Sequence, residues 1–202
     1  MGKKRVLLVF QKNTVKGKVK SRLAASIGDD RALEVYQSLL TYTYREVAKL
    51  EKIDVIPFFS DKIEALPMDL PNSPLCHIQQ GADLGAKMAQ AFSWAFSEGY
   101  QQVAIIGTDC PEIKHSDIQE GLAMLSRFDV AIGPALDGGY YFLAMNQFFP
   151  WIFEKITWSS PLVLEETLAL VKINNRKAGL LRVLRDIDTE ADYLAFLSKS
   201  QI

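Results

Sequence analysis

Short apolar runs that end abruptly in polar or glycine-containing sequence restrict the fold of this chain more than any other feature. Residues 6–10 and 103–106 are such runs, and each is typical of a strand buried on both faces. Between the runs, apolar residues recur at spacings of three and four, as at Leu33, Tyr36 and Leu40, which predicts amphipathic helices. This alternation favours an α/β fold in which helices cover both faces of a mostly parallel sheet.

The composition sets outer limits on the prediction. The 202 residues, 49% hydrophobic and 23% charged, suffice to bury one core, so we expect a single domain over residues 1–202. A formal net charge of -1 gives no overall field that would recruit nucleic acid or an anionic membrane. No apolar run approaches the roughly 20 residues of a membrane span, and the apolar stretch near the start is too short for a signal peptide. Because Cys76 and Cys110 lie outside any CxxC pattern, we predict a cytoplasmic protein without disulfides or structural zinc.

A basic segment follows the first predicted strand, at the sheet edge where α/β proteins bind ligands. It reads QKNTVKGKVKSRL over residues 11–23, and eight Lys and Arg residues precede the first acidic residue, Asp29. Gly17 lets the backbone approach a ligand closely, and the cations suit a pyrophosphate. The segment matches neither a Walker A loop nor GxGxxG, so a solvated basic loop is the alternative. We predict phosphate binding, for which the segment supplies Lys12, Lys16, Lys18, Lys20 and Arg22.

Two aspartates that follow other predicted strands are candidate metal ligands. Asp109, in GTDCP, would hold Mg²⁺ or Mn²⁺ against the phosphates, and a turn or helix cap is the alternative. Asp188, in RDIDTEAD, would bind a metal or an acceptor. The alternative for that segment is capping of the last helix by Thr189 and Asp192.

A third aspartate lies between two further predicted strands, in ALDGGYYF. Asp137 precedes Gly138 and Gly139, which permit a ligand to approach closely, and Tyr140 follows them. We predict that this segment serves the acceptor, with Asp137 as a base or acceptor contact. Because Asp-Gly between apolar runs is also a common hairpin signal, a simple turn is the alternative.

Aromatic residues in the second half of the chain have two uses open to them. Trp158 would stack on a sugar or an acceptor ring, and core packing at a helix start is its alternative. Phe148, Phe149 and Trp151 are expected in the core, and a contact within a homo-oligomer is their alternative.

The segments occur in a fixed order along nearly the whole chain: VFQKNTVKGKVKSRLA, QGADLGAKM, GTDCP, GPALDGGYY, ITWSSPLVLEET and DIDTEAD. In this order they resemble a bacterial family of GT-A-like glycosyltransferases described as arsenosugar-biosynthesis glycosyltransferase-like, within the nucleotide-diphospho-sugar transferase superfamily. The resemblance implies a three-layer α/β/α GT-A fold. A nucleotide would lie over the first half of the sheet, and an acidic residue after a central strand would bind a divalent metal.

The resemblance also implies roles for individual residues. Asp109 matches the metal-binding acid, but the sequence here is TDC where many glycosyltransferases have DxD. The second metal ligand is therefore open between Asp137 and Asp188. Together with the basic loop, the resemblance gives these residues to the nucleotide: Lys12, Gly17, Lys20, Arg22, Gly81, Asp83 and Gly85.

Three functions follow from these features. The first is metal-dependent transfer of a sugar from a nucleotide sugar to a small-molecule acceptor. The second is nucleotidyl transfer, in which an acceptor attacks an NTP and pyrophosphate leaves. The third is nucleotide binding without catalysis, because a fold does not guarantee an activity.

Overall fold

A seven-stranded sheet runs through the computed structural model, which describes residues 4–70 and 75–199. The strands are β1 (Arg5–Gln11), β2 (Asp54–Phe59), β3 (His77–Ile78), β4 (Gln102–Ile106), β5 (Val130–Pro134), β6 (Tyr140–Met145) and β7 (Ala178–Leu180). The helices are α1 (Ser21–Ile27), α2 (Asp29–Val47), α3 (Leu84–Ser97), α4 (His115–Met124), α5 (Val163–Ile173) and α6 (Glu190–Lys199), and a 3-10 helix spans Pro150–Phe153. The strand order is β3-β2-β1-β4-β6-β5-β7.

The order of the strands reverses beside β1. After β1 the chain adds β2 and β3 on one side, then returns to add β4 on the other side, and all of these pairs are parallel. Among the described strands only β6 is antiparallel to its neighbours, β4 and β5. The predicted mostly parallel α/β sheet is therefore confirmed. The carboxyl ends of β1 and β4 flank a topological switch point, where open α/β sheets bind ligands.

Successive residues of β1 enter two different cores because side chains alternate across a strand. Leu7 and Val9 face one core, which α2 and α4 cover. Val6, Leu8 and Phe10 face the other, which α3 and α5 cover. All five side chains are buried. Burial on both faces explains the unbroken apolar run and confirms the three-layer arrangement.

Two parts of the prediction need correction. Helix α1 occupies a segment predicted as loop, because Leu23 packs against Val35 in a small third core that the spacing of apolar residues does not reveal. The apolar residues at 180–184 predict a last strand there. The strand forms earlier, at Ala178–Leu180, and shares only Leu180 with the predicted range, while Leu184 forms an isolated bridge to Ala135. Proline removes a backbone donor and fixes φ, so the proline-containing residues 66–74 are predicted to be irregular. This prediction is confirmed for residues 66–70, and residues 71–74 lie outside the described part of the chain.

The aromatic group at residues 148–151 belongs to the core. Phe149 is buried, and Phe148 and Trp151 are half-buried against the same core as α3. The core interpretation of this group is therefore confirmed. None of the described helices is long and apolar enough to cross a membrane.

A buried carboxylate joins the end of α2 to the start of α4. The Glu46 side chain is 10% exposed, and its Oε2 lies 3.0 Å from both the backbone N and the ring Nδ1 of His115. Lys49 pairs with the other carboxylate oxygen. Burial opposes ionisation of Glu46, but hydrogen bonds from Lys49 and His115 outweigh it and lower the pKa of Glu46 to about 2.

We expect Glu46→Gln to lower the free energy of unfolding by about 1–3 kcal/mol at pH 7, because buried charge-assisted hydrogen bonds are lost. The folded-state pKa of about 2 lies below the ordinary value of 4.5. The stabilisation is therefore complete above an ordinary carboxyl pKa and is lost as the pH falls toward 2. Urea unfolding at pH 7, 5 and 3 should show the difference between wild type and variant shrinking in acid.

The matched control is Glu34→Gln, on the exposed face of the same helix. Glu34 pairs with Arg31 at the surface, so its replacement should change stability by about 0–1 kcal/mol. If Glu46→Gln lowers the free energy of unfolding by the same amount at all three pH values, the stabilisation does not come from the ionised carboxylate.

Candidate functional site

A buried lysine links three segments at the carboxyl edge of the sheet. Lys20 Nζ lies 2.6 Å from Asp109 Oδ1 and 3.1 Å from Asp188 Oδ1. Its side chain is only 4% exposed, whereas those of Asp109 and Asp188 are 44% and 43% exposed. Lys20 comes from the loop after β1, Asp109 from the loop after β4 and Asp188 from the segment after β7. The structure thus brings together three of the predicted site residues across the switch point.

The backbone holds Lys20 in an uncommon conformation at the start of α1. Its φ of 49° and ψ of 45° lie in the left-handed region, which costs a non-glycine residue about 1–2 kcal/mol. Burial opposes the charge of the ammonium, but Asp109 and Asp188 outweigh it and raise the pKa of Lys20 above its ordinary value. Lys20 is therefore a cation held in place by both its backbone and its partners.

Neither Asp109 nor Asp188 is used as a helix cap. The carboxylate of Asp117, within α4, accepts the backbone N–H of Lys114 at 2.8 Å. At the start of α6, Asp192 accepts the backbone N–H of Thr189 at 3.0 Å, so the capping that was the alternative for this segment is formed by Thr189 and Asp192. Thr189 and Asp192 therefore cap α6, whereas Asp188 pairs with Lys20.

The hairpin turn that was the alternative for Asp137 forms between the antiparallel strands β5 and β6. Gly138 takes a φ of 89°, and Asp137 Oδ1 accepts the backbone N–H of Gly139 at 2.9 Å. The turn also borders a cavity of about 130 Å³. The cavity is lined by Leu136, Asp137, Arg185, Asp186, Asp188 and Asp192.

Asp186 is a member of this group that the sequence analysis did not select. Burial raises its pKa to about 7, and the nearby charges of Asp109 and Asp137 act in the same direction. The sequence RDID shows two aspartates at this position, but their spacing does not predict which of the two carboxylates is buried.

The other cations of the basic loop are exposed. Lys16 forms a surface ion pair with Asp30 at 2.7 Å, as expected for a solvated loop residue. Lys12 and Arg22 are also exposed. Gly17 has a φ of 76° in a turn closed by a hydrogen bond from Lys18 N–H to Val15 C=O. Lys20 is thus the one cation of residues 11–23 that is buried against the acidic residues.

Two side chains missed by the sequence analysis hold the site loops. The Tyr36 hydroxyl accepts the Lys12 backbone N–H at 2.8 Å, donates to its C=O at 3.0 Å and lies 3.4 Å from the Thr108 hydroxyl. Burial raises the pKa of Tyr36 to about 12. Asn13 Oδ1 accepts backbone N–H groups of Asp61 and Lys62 after β2. These contacts fix the loops that follow β1, β2 and β4 relative to one another.

The QGADLG segment builds the start of α3. Asp83 caps the helix by accepting the Ala86 N–H at 2.8 Å. Gly81 has a φ of 140° and approaches the first turn so closely that an added Cβ would lie 2.6 Å from Lys87 N. Gly85 is buried beneath the Trp158 indole. The structure gives each predicted residue of this segment a local packing or capping task.

One loop connects this segment to the hairpin. Trp158 covers Gly85, and the neighbouring Pro161 C=O lies where an added Cβ of Gly138 would come within 2.1 Å. The structure therefore brings Gly85, Gly138 and Trp158 together through residues 158–161. Tyr140, in contrast, is half-buried against the core, and its hydroxyl is buried there.

The carboxylates of the site supply only part of the ligands that a divalent metal needs. Within residues 4–70 and 75–199, no three His, Cys, Asp or Glu side chains are grouped so as to hold a metal. Asp109 and Asp188 nevertheless converge on one cation, the Lys20 ammonium. Carboxylate oxygens suit Mg²⁺ and Mn²⁺, and Mg²⁺ usually takes one or two carboxylates and completes its shell with water and substrate phosphates. Two converging carboxylates thus fit a metal that binds together with phosphate.

Comparison with known proteins gives one family match and several similar folds. Residues 43–160 match the family described as uncharacterized protein conserved in bacteria (DUF2064). A candidate nucleotide-diphospho-sugar transferase from Desulfovibrio desulfuricans G20 is 30% identical, with a TM-score of 0.89 over 98% of this chain and 88% of that chain. Comparison with curated proteins found no match.

Two more distant crystal structures share the fold. The 4-diphosphocytidyl-2C-methyl-D-erythritol synthase of Anaerococcus prevotii DSM 20548 is 10% identical, with a TM-score of 0.59 over 98% of this chain and 97% of that chain. Rv0371C of Mycobacterium tuberculosis H37Rv, in complex with manganese, is 14% identical, with a TM-score of 0.54 over 96% and 98%. These findings support the nucleotide-diphospho-sugar transferase superfamily, and the narrower arsenosugar-biosynthesis resemblance stays a prediction.

We expect Gly85→Ala to displace the Trp158 indole, because the added Cβ would lie 2.2 Å from Trp158 Nε1. Overpacking of this kind costs about 1–3 kcal/mol and should change tryptophan fluorescence and the near-UV circular dichroism. Gly107→Ala is the control, since its added Cβ meets nothing within 4 Å. Identical tryptophan spectra for Gly85→Ala and wild type would contradict the packing described.

Proposed function

We propose that this chain, which belongs to the DUF2064 family of bacterial proteins, is a metal-dependent transferase that uses a nucleotide-activated sugar as donor. The observation that carries the proposal is the buried Lys20 shared by Asp109 and Asp188 at the topological switch point. A fixed cation beside two half-exposed carboxylates is an arrangement suited to both a phosphate chain and its metal.

In this proposal each segment of the site has a separate task. Lys20 binds the phosphates of the donor, with Lys12 and Arg22 at the exposed rim. Asp109 and Asp188 hold Mg²⁺ or Mn²⁺, which when bound neutralises charge on the leaving nucleoside diphosphate. Asp137, beside the cavity, contacts the acceptor. Gly138, Gly139 and Trp158 shape the acceptor side, where the loop after β5 meets residues 158–161.

The name of the relative from Desulfovibrio desulfuricans supports a sugar donor, because that protein is a candidate nucleotide-diphospho-sugar transferase. The manganese complex of the mycobacterial protein supports a divalent metal on this fold. A cytoplasmic location and a single domain over residues 1–202 stay predictions.

Nucleotidyl transfer is the second candidate. It is favoured by the similar fold of the Anaerococcus prevotii synthase, whose name describes a diphosphocytidyl product. In that reaction an acceptor attacks the α-phosphate of an NTP and pyrophosphate leaves, so the same lysine and carboxylates suffice.

A thermal-shift panel of UDP-, GDP- and dTDP-sugars and of the four NTPs, each with and without Mg²⁺ or Mn²⁺, tests the proposal. A ligand at about one hundred times its Kd stabilises the folded state by roughly 2.7 kcal/mol. We expect a metal-dependent shift with one nucleotide sugar, and we expect Asp109→Asn to abolish the metal-dependent part. Glu120→Gln, an exposed residue of α4 with the same change in charge, is the control.

The outcomes separate the candidate functions. A shift confined to one NTP, followed by release of pyrophosphate with an acceptor, would replace glycosyl transfer by nucleotidyl transfer. Binding of a nucleotide without any turnover of donor would favour the non-catalytic alternative. No shift with any compound would contradict the phosphate role of Lys20.

A further inference from the structure

We infer that Lys20 withholds Asp109 and Asp188 from a divalent metal until phosphate draws its ammonium away, so that metal and phosphate bind cooperatively. The inference rests on the proposed function, in which the two carboxylates are metal ligands and Lys20 contacts phosphate. It adds a coupling between the two ligands, because the Lys20 ammonium is an exchangeable counter-ion of the two carboxylates.

The ammonium already occupies the place where the two carboxylates converge. Lys20 Nζ lies 2.6 Å from one Oδ1 and 3.1 Å from the other. A Mg²⁺ ion bound by the same two oxygens would lie about 2.0–2.1 Å from each. Ammonium and metal therefore compete for the same atoms. If the metal bound the second oxygens instead, two cations on the same carboxylates would still repel each other.

The exposure of the three side chains indicates from which side a metal and phosphate would approach them. The ammonium lies on the protein side, with 4% of its side chain exposed, whereas Asp109 and Asp188 are nearly half exposed. A metal and phosphate arriving from solvent thus meet the carboxylates first. Lysine has a flexible four-carbon stem, so Nζ can leave the carboxylates for a phosphate oxygen while the backbone of Lys20 keeps its conformation.

The other basic residues of the loop do not share this task. Lys16 is engaged with Asp30 at the surface, and Lys12 and Arg22 are exposed. Phosphate on Lys20 would remove the counter-ion of Asp109 and Asp188 and raise their affinity for metal. By linkage, bound metal raises the affinity for phosphate by the same factor.

Manganese binding to the full chain tests the inference, with free Mn²⁺ measured by electron paramagnetic resonance. We expect Lys20→Met to bind Mn²⁺ at least about tenfold more tightly than wild type without phosphate, equivalent to about 1.4 kcal/mol. Adding Asp109→Asn to Lys20→Met should abolish this gain. Lys172→Met, an exposed lysine on α5, makes the same change in charge and should leave Mn²⁺ affinity unchanged.

Inorganic phosphate provides a second measurement on the unmodified protein. Its weak binding of Mn²⁺ is measured without protein and subtracted. Phosphate should raise the Mn²⁺ affinity of wild type and have no such effect on Lys20→Met. If Lys20→Met does not fold, this titration alone decides, and an unchanged wild-type affinity overturns the inference.

The failures of the inference and of the proposed function are distinct. Equal Mn²⁺ affinity in wild type and Lys20→Met, lost in Asp109→Asn, would overturn the competition and leave the metal site intact. No Mn²⁺ binding by either protein, with or without phosphate, would overturn both the inference and the metal-dependent function.

Discussion

Parallel pairing of β1 with both β2 and β4 determines the geometry of the two large cores and of the candidate site. Parallel strands end at the same edge of a sheet, so the loops after β1 and β4 meet although nearly a hundred residues separate them. Lys20 and Asp188 are 168 residues apart in sequence and 3.1 Å apart in space. A slip of one residue would turn every side chain of β1 to the opposite core. Each face of β1 packs against its own core, so the strand register that aligns the site residues is also the register that buries the apolar side chains of β1.

The ion pairs at this edge are a poor source of stability. Removing a lysine from water opposes its charge, and two carboxylates are needed to offset that cost. The left-handed backbone at Lys20 adds strain that an ordinary loop residue would avoid. Apolar side chains at these positions would satisfy the fold more simply. The arrangement is therefore better understood as a preformed electrostatic site that the two large cores on either side of the sheet support.

The sequence predicted the sheet and part of the site for physical reasons that can be traced. Runs such as residues 6–10 report burial on both faces, and Asp109 follows a strand that the topology places beside β1. Helix α1 was missed because Leu23 is stabilised by partners distant in sequence. Tyr36 was correctly read as part of an apolar stripe, but periodicity does not show that its hydroxyl binds the Lys12 backbone. Contacts of single polar atoms depend on the packed structure, and spacing alone does not encode them.

The two outer strands of the sheet are also its shortest. β3 has two residues and β7 has three, against five to seven in the interior strands. An edge strand offers unpaired N–H and C=O groups to any extended chain that approaches, and a short edge offers few of them. Another molecule in solution thus finds little backbone at either side on which to add a strand. The brevity of β3 and β7 protects the sheet against edge-to-edge growth and leaves the longer, mostly buried strands in the interior, where no neighbouring molecule reaches them.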